Sequence, residues 1–380
     1  MDGSTAPARD PLAFGDDPPM IMPAPQAATS RSVEPSSLHR RPAPVDFLVT
    51  GATGLVGNNV VRMLVSRGES VRAFVRSRQA SQRCLAGLPV ETLHGSLGDE
   101  GAVQAAVDGA RVVIHSAAMV HCGWRHQAEM AAVNVEGTRV VAAAARRAGA
   151  RFIHVSSVDA IGLRADGAPA DEETPPGVMP ECPYVVTKRE AERGVYDEIA
   201  RGLDAVIVNP VYMLGPWDWK PSSGRMLLEV GAGKGLFAPP GANDFVDVRD
   251  VAGGILAAVT RGRSGRRYIL GGHSMSYLDA WRVFARIAGR MQPLGIAPRG
   301  IVRLAGLAGD LASLFTHRER RVNSAATRMS MLPHNFSFSR AQSELGYAFR
   351  SLDETVSDAW EWFMTRGYAK AVRGREVMAR

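Results

Sequence analysis

Three side chains near the middle of the chain have the types and spacing needed to move a proton at a substrate oxygen. Tyr184 and Lys188 are four residues apart in a segment where only Gly194 weakens a helix before residue 198, so a helix would place phenol and ammonium on one face. The ammonium can lower the pKa of the phenol, which could then give or take a proton. Ser157, at a strand end, could hold the same oxygen. Because this spacing is common in helices, the surrounding elements decide the interpretation.

A strand, a tight turn and a helix are predicted at residues 46–64. An apolar run at 47–49 leads into glycines at 51, 54 and 57, a variant of the dinucleotide-binding fingerprint. Gly51 would permit the turn, Gly54 would let the backbone approach a pyrophosphate, and Gly57 would let the helix pack closely on the strand. The helix N-terminus would offer free N–H groups to the phosphates. An ordinary glycine-rich turn is the alternative.

The end of the second predicted strand, residues 71–75, indicates which dinucleotide is preferred. An Asp or Glu here typically binds the ribose 2′-hydroxyl of NAD, whereas an arginine suits the 2′-phosphate of NADP. Arg76 and Arg78 follow the strand, with no acid beside them. Because a guanidinium can hold a phosphate in a bidentate manner, we expect NADP(H) to be favoured, with NAD(H) possible. The alternative is that both arginines are solvated loop residues.

Strands and helices alternate along the first half of the chain, with short turns between them. Further strands are predicted at 90–93, 111–118 and 152–155, and helices at 100–107 and 128–148. This alternation predicts an α/β fold with a doubly wound parallel sheet. The predicted organisation is a disordered Pro/Ala-rich tail at 1–44, a Rossmann NAD(P)-binding domain at 45–210, a smaller substrate-capping region at 211–368 whose segment of about 245–270 returns to the core, and a tail at 369–380.

The composition is that of a globular protein without a disulfide framework. The chain is 46% hydrophobic and 22% charged, and its three cysteines are far apart, which favours a reducing compartment. The formal charge of +7 comes from bases interspersed with acids, so a solvated surface is favoured over nucleic-acid binding. No apolar run reaches the roughly 18 residues of a transmembrane segment, and the tail lacks the apolar stretch of a secretory signal. We expect a cytoplasmic protein.

Two further patterns have both a functional and a structural interpretation. His115, His121 and His126 resemble a metal-binding set, but no carboxylate lies at ligand spacing on the loop, so no metal is expected. Residues 301–315 carry apolar side chains at helical spacing, followed by basic residues. A helix packed in the cap is favoured, and an amphipathic helix in contact with a membrane surface is the alternative.

In combination, the motifs resemble those of the extended short-chain dehydrogenase/reductases. The matching segments, in family order from residue 46 to about 368, are TGATGLVG at 50–57, HSAA at 115–118, NVEGT at 134–138, VSSVDAIG at 155–162, YVVTK at 184–188, NPVYMLGP at 209–216 and FVDVRDVAGGILAA at 245–258. The chain looks most like the dihydroflavonol-4-reductase-like branch, close to 3β-hydroxysteroid dehydrogenases and hopanoid-associated epimerase-like proteins. VRAFVRS at 71–77 and YILGG at 268–272 carry that likeness.

The resemblance implies roles for individual residues. Ser157, Tyr184 and Lys188 would be the catalytic triad. The implied cofactor-binding residues are Gly51, Thr53, Gly54, Leu55, Val56 and Gly57 at the pyrophosphate, Arg76 at the 2′-phosphate, Ser96 and Leu97 at the adenine, and Ala117, Ala118, Pro210, Val211, Tyr184 and Lys188 at the nicotinamide. At Ser96 the family commonly has an aspartate, so adenine binding should be weaker. Family members are often dimers that pair helices such as 128–148 and 184–200, so a homodimer is possible.

The candidate substrate residues surround a pocket that would suit a flat apolar molecule, and packing within the cap is the alternative interpretation for its tryptophans. These residues are Met119, Trp124, Asp159, Tyr212, Trp217 and Trp219.

Three functions follow from the sequence. The leading one is an NADP(H)-dependent oxidoreductase that reduces a ketone, or oxidises a secondary alcohol, on a fairly apolar small molecule. The second is a nucleotide-sugar epimerase or dehydratase, or a 3β-hydroxysteroid-type dehydrogenase using NAD; Lys220, Arg225 and Arg249 could bind a sugar diphosphate. The third is a dinucleotide sensor without catalysis, which would not require the triad.

Overall fold

The computed structural model describes residues 43–316 and 319–370. Most of the predicted N-terminal tail, the last ten residues and positions 317–318 lie outside the described residues. Within the described part, the predicted alternation of strands and helices in the first half of the chain is present.

The core is a parallel sheet of seven strands in the order β10-β6-β5-β4-β1-β2-β3, counted over residues 43–316 and 319–370. The doubly wound α/β fold is therefore confirmed. Its strands are β1 (Val45–Thr50), β2 (Val71–Val75), β3 (Val90–His94), β4 (Ala110–His115), β5 (Arg151–Val155), β6 (Ala205–Pro210) and β10 (Arg267–Leu270). Because all seven strands run in the same direction, the turns that follow them meet at one edge.

Helices cover both faces of this sheet and build the cap. They are α1 (Leu55–Ser66), α2 (Arg78–Cys84), α3 (Glu100–Val107), α4 (Gln127–Met130), α5 (Gly137–Ala148), α6 (Pro183–Ala200), α7 (Gly224–Gly231), α8 (Val248–Arg261), α9 (Tyr277–Ile287), α10 (Arg299–Thr316), α11 (Ser324–Met329) and α12 (Leu352–Thr365). The long helix predicted at 128–148 is interrupted, because Ala131–Glu136 forms a π-helical stretch between α4 and α5.

The capping region has two small sheets of its own. β7 (Tyr212–Leu214), β9 (Ala242–Asp247) and β11 (His273–Ser276) form the first, and β8 (Phe237–Ala238) pairs with β12 (Gly295–Ile296) in the second. A core of buried side chains that includes Phe245, Phe284 and Phe363 lies between these sheets and the helices around them. The chain returns to the main sheet through α8, which packs on α1, and through β10.

A fully buried arginine fixes the start of the described chain. The Arg72 side chain in β2 is 0% exposed and pairs with Glu91 at 2.7 Å. Its guanidinium also donates to the carbonyl oxygens of Ala43, Ala106 and Asp108. A buried guanidinium is tolerated when its donors are satisfied in this way, so this one links two strands, the end of α3 and the segment before β1.

The helix expected at 301–315 is present as α10, but its apolar stripe faces outward. Leu304 and Phe315 are 68% and 85% exposed, whereas the buried residues of this helix are Gly306 and Ser313. The expectation that the stripe packs inside the cap is therefore wrong: small residues make the contact with α11. Within residues 43–316 and 319–370, no helix has the length and apolarity required to cross a membrane.

Candidate active site

The turn after β1 is built around glycines that leave no room for side chains. Gly51 has φ +71°, and a Cβ there would lie 2.6 Å from the Ala117 nitrogen. A Cβ on Gly57 would lie 2.3 Å from the Gly51 carbonyl oxygen. Gly54 is different, because a Cβ there would meet only that oxygen, at 3.4 Å. The first and third glycines are thus required by packing, and the exposed Gly54 borders open space.

The first turn of α1 fits a dinucleotide pyrophosphate. Gly54 is the N-cap, and no side chain caps this helix, so the N–H groups of its first turn remain free to bind an anion. Thr53, Leu55 and Val56 lie half-buried around that opening. The predicted pyrophosphate site therefore has the donors and the open approach that it needs.

Two predicted adenosine-side residues lie on neighbouring strand ends. Arg76 directly follows β2, is exposed, and makes no hydrogen bond or ion pair with the described residues. Because β2 pairs with β1, Arg76 lies at the same edge of the sheet as the glycine turn. Ser96 is also exposed, and its hydroxyl accepts a bond from the Gly98 nitrogen at 3.3 Å. Leu97 packs on the core and touches the position of Gly137.

The three predicted catalytic residues come from β5 and α6. Ser157 follows β5 and its hydroxyl accepts from the Asp159 nitrogen at 3.2 Å. Tyr184 and Lys188 lie on α6, 7% and 4% exposed. Burial, and next the charge of Asp159, raise the pKa of the Tyr184 phenol, against a smaller lowering by its bond with Ser157. The phenol is therefore protonated at neutral pH.

Lys188 lies one turn of α6 after Tyr184, and its side chain is closed to solvent. Its ammonium donates to the Val155 carbonyl oxygen at 3.3 Å. Burial lowers the pKa of Lys188 to about 8, although the charges of Glu192 and Asp159 raise it. An ammonium has three donors, so the capacity to bond cofactor hydroxyl groups remains.

The sequence analysis missed Glu192, one further turn along α6 from Lys188. Its carboxylate, 4% exposed, accepts from the Asn209 amide at 2.6 Å and pairs with Arg267 at 3.3 Å. Asn209 also donates to the Ser157 carbonyl oxygen. Burial raises the pKa of Glu192, and its charge supports the ammonium of Lys188. The spacing of 184, 188 and 192 on one helix was the available signal.

Asn134 holds the segment after β4 against α6. In the π-helical stretch, its amide accepts from the Met119 nitrogen at 2.7 Å and donates to the Met119 carbonyl oxygen at 3.0 Å. It also donates to the Thr187 hydroxyl at 3.2 Å. The half-buried backbone at Ala117, Ala118 and Met119 is thereby held beside α6, and buried Pro210 and Val211 end the neighbouring strand β6.

His115, at the end of β4, bonds two threonine side chains and is not a metal ligand. Its two ring nitrogens bond the hydroxyls of Thr50 at 2.8 Å and Thr138 at 3.0 Å. Burial lowers its pKa to about 3. His121 and His126 do have carboxylate partners, Glu319 and Glu129, contrary to the sequence interpretation. Among the described residues, no group of three or more acids, histidines and cysteines could hold a metal ion.

We expect the substrate cleft to lie beside Tyr184, at the sheet edge where Ser157 follows β5. Besides burial, the charges of Asp159 and Cys122 raise the pKa of both Tyr184 and Tyr277 on α9, so these four side chains lie near one another. Cys122 is partly exposed to solvent, but protein surrounds its thiol, and this burial raises the pKa of the thiol to about 12. Cys122 and Tyr277 were not singled out as pocket residues.

The predicted substrate residues divide into two groups. Met119, Trp124 and Asp159 lie in the segments that follow β4 and β5, and Tyr212 begins β7, where its hydroxyl donates to the Ser223 carbonyl oxygen. Trp217 and Trp219 instead pack against Trp362, in a tilted and an edge-to-face arrangement, and Arg62 lies 3.3 Å above the Trp217 ring. These contacts are those of cap packing, which was the alternative for this pair.

A parallel doubly wound sheet with a glycine turn before α1 and a tyrosine–lysine pair on α6 defines a class, the dinucleotide-binding enzymes of the extended short-chain dehydrogenase/reductase type. The sequence profile of the NAD dependent epimerase/dehydratase family matches residues 47–271. The chain belongs to this family and is an NAD(P)-dependent enzyme.

Similar proteins cover nearly the whole described chain. Sterol demethylase protein B of Methylococcus capsulatus is 38% identical over 84% of this chain and 98% of its own length. A dihydroflavonol 4-reductase-like protein of Synechocystis sp. is 33% identical over 85% of this chain and 96% of its own. The crystal structure of gox2253 superposes with a TM-score of 0.75, at 36% identity, over 86% of this chain and 99% of its own.

Proposed function

We propose that the protein is an NADP(H)-dependent oxidoreductase that reduces a ketone, or in reverse oxidises a secondary alcohol, on a fairly apolar small molecule. The observation that carries the proposal is the buried, protonated phenol of Tyr184 with the Ser157 hydroxyl beside it and the Lys188 ammonium on the same helical face. Reduction needs a proton donor at the carbonyl oxygen, and a raised pKa keeps that proton on the phenol at neutral pH.

Each residue of the triad has a separate task. Ser157 would hold the carbonyl oxygen by a hydrogen bond, and Tyr184 would transfer its proton to that oxygen as negative charge develops there. Lys188 would stabilise the resulting phenolate by its charge and would bond the cofactor ribose. A bound dihydronicotinamide supplies the hydride to the carbonyl carbon.

The preference for NADP(H) is supported by Arg76. Arg76 is exposed at the end of β2, the strand that pairs with β1, and its guanidinium is not committed to any carboxylate of the described chain. A carboxylate at this point would repel a 2′-phosphate, whereas a free guanidinium can bind it.

An apolar substrate is supported by the cleft and by the names of the relatives. Tyr184, Tyr277 and Cys122 lie near Asp159, and their raised pKa values keep all three neutral at pH 7. One relative is named for sterol demethylation and another for reduction of a dihydroflavonol. We propose a polycyclic ketone as the substrate class.

A sugar diphosphate has less support. Of the three bases that could bind it, Arg249 is paired with both Asp247 and Asp358 at 2.6 Å. Arg225 donates to the Pro221 carbonyl oxygen. Of the three bases, only the exposed Lys220 has neither an ion pair nor a side-chain hydrogen bond with the described residues, so a diphosphate would find one free cation here, and ketone reduction remains our proposal.

The test is a titration of NADPH and NADH, followed by nicotinamide fluorescence, on wild type, Arg76→Ala and Arg78→Ala. We expect NADPH to bind more tightly, and Arg76→Ala to weaken NADPH by roughly ten- to hundredfold, the scale of a charged hydrogen bond, with NADH unchanged. Arg78→Ala is the matched control and should keep the preference. Equal binding of NADH and NADPH to wild type would show that Arg76 is a surface residue.

A panel of polycyclic ketones then tests the reaction, with consumption of NADPH as the readout and Tyr184→Phe as the inactive reference. Turnover of a nucleotide sugar without net consumption of the cofactor would instead establish the epimerase alternative.

A further inference from the structure

Helix α10 buries small residues and exposes large apolar ones, the reverse of an ordinary surface helix. Its inner face is made of small residues: a Cβ on Gly306 would lie 2.3 Å from the Thr327 hydroxyl oxygen, and one on Gly309 would lie 1.7 Å from the Val322 carbonyl oxygen. The large apolar residues point to solvent and are 52–85% exposed: Ile301, Leu304, Leu307, Leu311, Leu314 and Phe315. A soluble helix normally buries such a stripe.

The exposed apolar surface extends beyond the helix. The segment leading into α10 and the β8–β12 pair beside it add Leu236, Phe237, Met291, Leu294 and Ile296, all at least 46% exposed. β12 ends three residues before α10 begins. Large apolar side chains exposed along a whole helix mark a surface that binds something. We call the outer side of α10 together with these five residues the apolar face.

Four exposed arginines lie on α10 or shortly after it. Arg303 lies on the exposed part of α10, and Arg320, Arg321 and Arg328 are exposed just after it. None of the four is in an ion pair with the described residues. The two nearest acids are occupied, since Asp310 accepts from the Ser324 nitrogen and Glu319 pairs with His121.

We propose that the apolar face docks on an anionic phospholipid bilayer. Large apolar side chains would enter the acyl boundary and the free arginines would meet lipid phosphates, the arrangement of an interfacial amphipathic helix. A second copy of the chain fits the face less well, because a two-fold interface would bring the same unpaired arginines against each other.

The apolar face is joined to the loop that borders the cleft. Arg125 donates to the Ser313 carbonyl oxygen of α10 at 2.9 Å, and the Trp124 indole donates to Ser324 at 2.7 Å. Asn323 donates to the Cys122 carbonyl oxygen. Docking would therefore hold the mouth of the cleft near the lipid surface. The docking itself does not depend on the proposed function, whereas uptake of an apolar ketone from the bilayer does.

The experiment is flotation of the full chain with vesicles of phosphatidylcholine alone and of phosphatidylcholine mixed with phosphatidylglycerol. We expect wild type to float with the mixed vesicles, to float less with phosphatidylcholine, and to be released by salt. Leu304→Glu combined with Leu311→Glu should abolish flotation. Arg320→Ser combined with Arg321→Ser should weaken it by about thirtyfold, from roughly 1 kcal/mol per arginine.

Two controls keep the result specific. Val178→Glu changes an exposed apolar residue in another loop and Arg193→Ser an exposed arginine on α6; both should float like wild type, and circular dichroism should show every variant folded. Absence of flotation on both vesicle types, or equal flotation of all variants, would refute the proposal. So would a dimer in sedimentation that the double glutamate variant converts to a monomer. None of these readouts uses enzymatic activity.

Discussion

The Ser157 hydroxyl donates a hydrogen bond of 3.1 Å to the carboxylate of Asp159, two residues farther along the chain. The same carboxylate lies 3.9 Å from the His334 ring and raises the pKa of Tyr184 by its charge. Asp159 therefore acts on two members of the proposed triad, and a substrate oxygen would have to compete with it for the serine.

Replacing Asp159 by asparagine should shift the pH profile of reduction. Removing the charge lowers the pKa of both Tyr184 and Lys188, so the alkaline loss of kcat/KM should move to lower pH. The measurement is kcat/KM for ketone reduction against pH. Asp166→Asn, in an exposed pair with Arg164, should leave the profile unchanged, and a profile that does not move in Asp159→Asn would contradict the assignment.

Tyr184→Phe should remove the proton donor and leave the fold intact. General acid catalysis typically contributes about 10²- to 10⁴-fold, so kcat should fall by that factor while NADPH binding persists. Tyr196→Phe is the matched control, because Tyr196 lies on the same helix but is 36% exposed. Equal losses of activity in both variants would point to damage of α6 rather than to catalysis.

Lys188→Met should be inactive yet more stable than wild type at pH 7. The pKa of Lys188 is lowered to about 8 from its ordinary 10.5, so the unfolded chain binds this proton more tightly than the folded one. The buried ammonium therefore destabilises the folded state by about 3 kcal/mol, at 1.36 kcal/mol per pKa unit. This destabilisation is fully present below pH 8 and disappears as pH rises from 8 to 10.5.

Urea unfolding of wild type and Lys188→Met at pH 7 and pH 10 measures that difference, which should shrink at the higher pH. Lys234→Met, at a half-exposed lysine paired with Glu229, should show no such change. If Lys188→Met proves less stable than wild type at pH 7, the ammonium is better solvated in its pocket than its burial indicates.

Gly51→Ala should cost far more than Gly68→Ala, although both glycines have positive φ, +71° and +77°. Both variants incur the backbone strain of that conformation, about 1 kcal/mol. Only at Gly51 does a Cβ also meet the Ala117 and Ser116 backbone, within 2.8 Å. Thermal unfolding should show a much larger loss of Tm for Gly51→Ala, together with loss of NADPH binding; similar losses in the two variants would contradict the close packing of the turn.

The parts of the site that sequence analysis predicted are local. The turn at 51–57 and the pair Tyr184–Lys188 follow from spacing within one element, and the end of β2 identifies Arg76. Contacts between distant segments were not visible. In the sequence, Arg72 only interrupts an apolar strand. The fold is what brings the carbonyl oxygens of residues 43, 106 and 108 around its guanidinium.

The helical spacing of the apolar residues predicted the stripe of α10, but it did not predict the direction in which the stripe faces. A helical period identifies two faces of a helix, and the larger residues are ordinarily assigned to the core. Here Gly306 and Gly309 allow the backbones of α10 and residues 322–324 to approach closely, and this contact turns the leucines outward. The spacing of the small residues was the signal that the sequence analysis did not use.

The position of β10 determines where the chain can be cut. This strand covers the outer edge of β6, pairing Ile269 with Asn209, although the whole of β7 to β9 lies between them in sequence. A fragment that ends at residue 210 would lose β10 and the α8 helix that packs on α1. Its fully buried strand β6 would become an open edge, which favours aggregation. The nucleotide-binding half is therefore expected to be insoluble when expressed alone, and a fragment intended for binding studies should extend at least through residue 270.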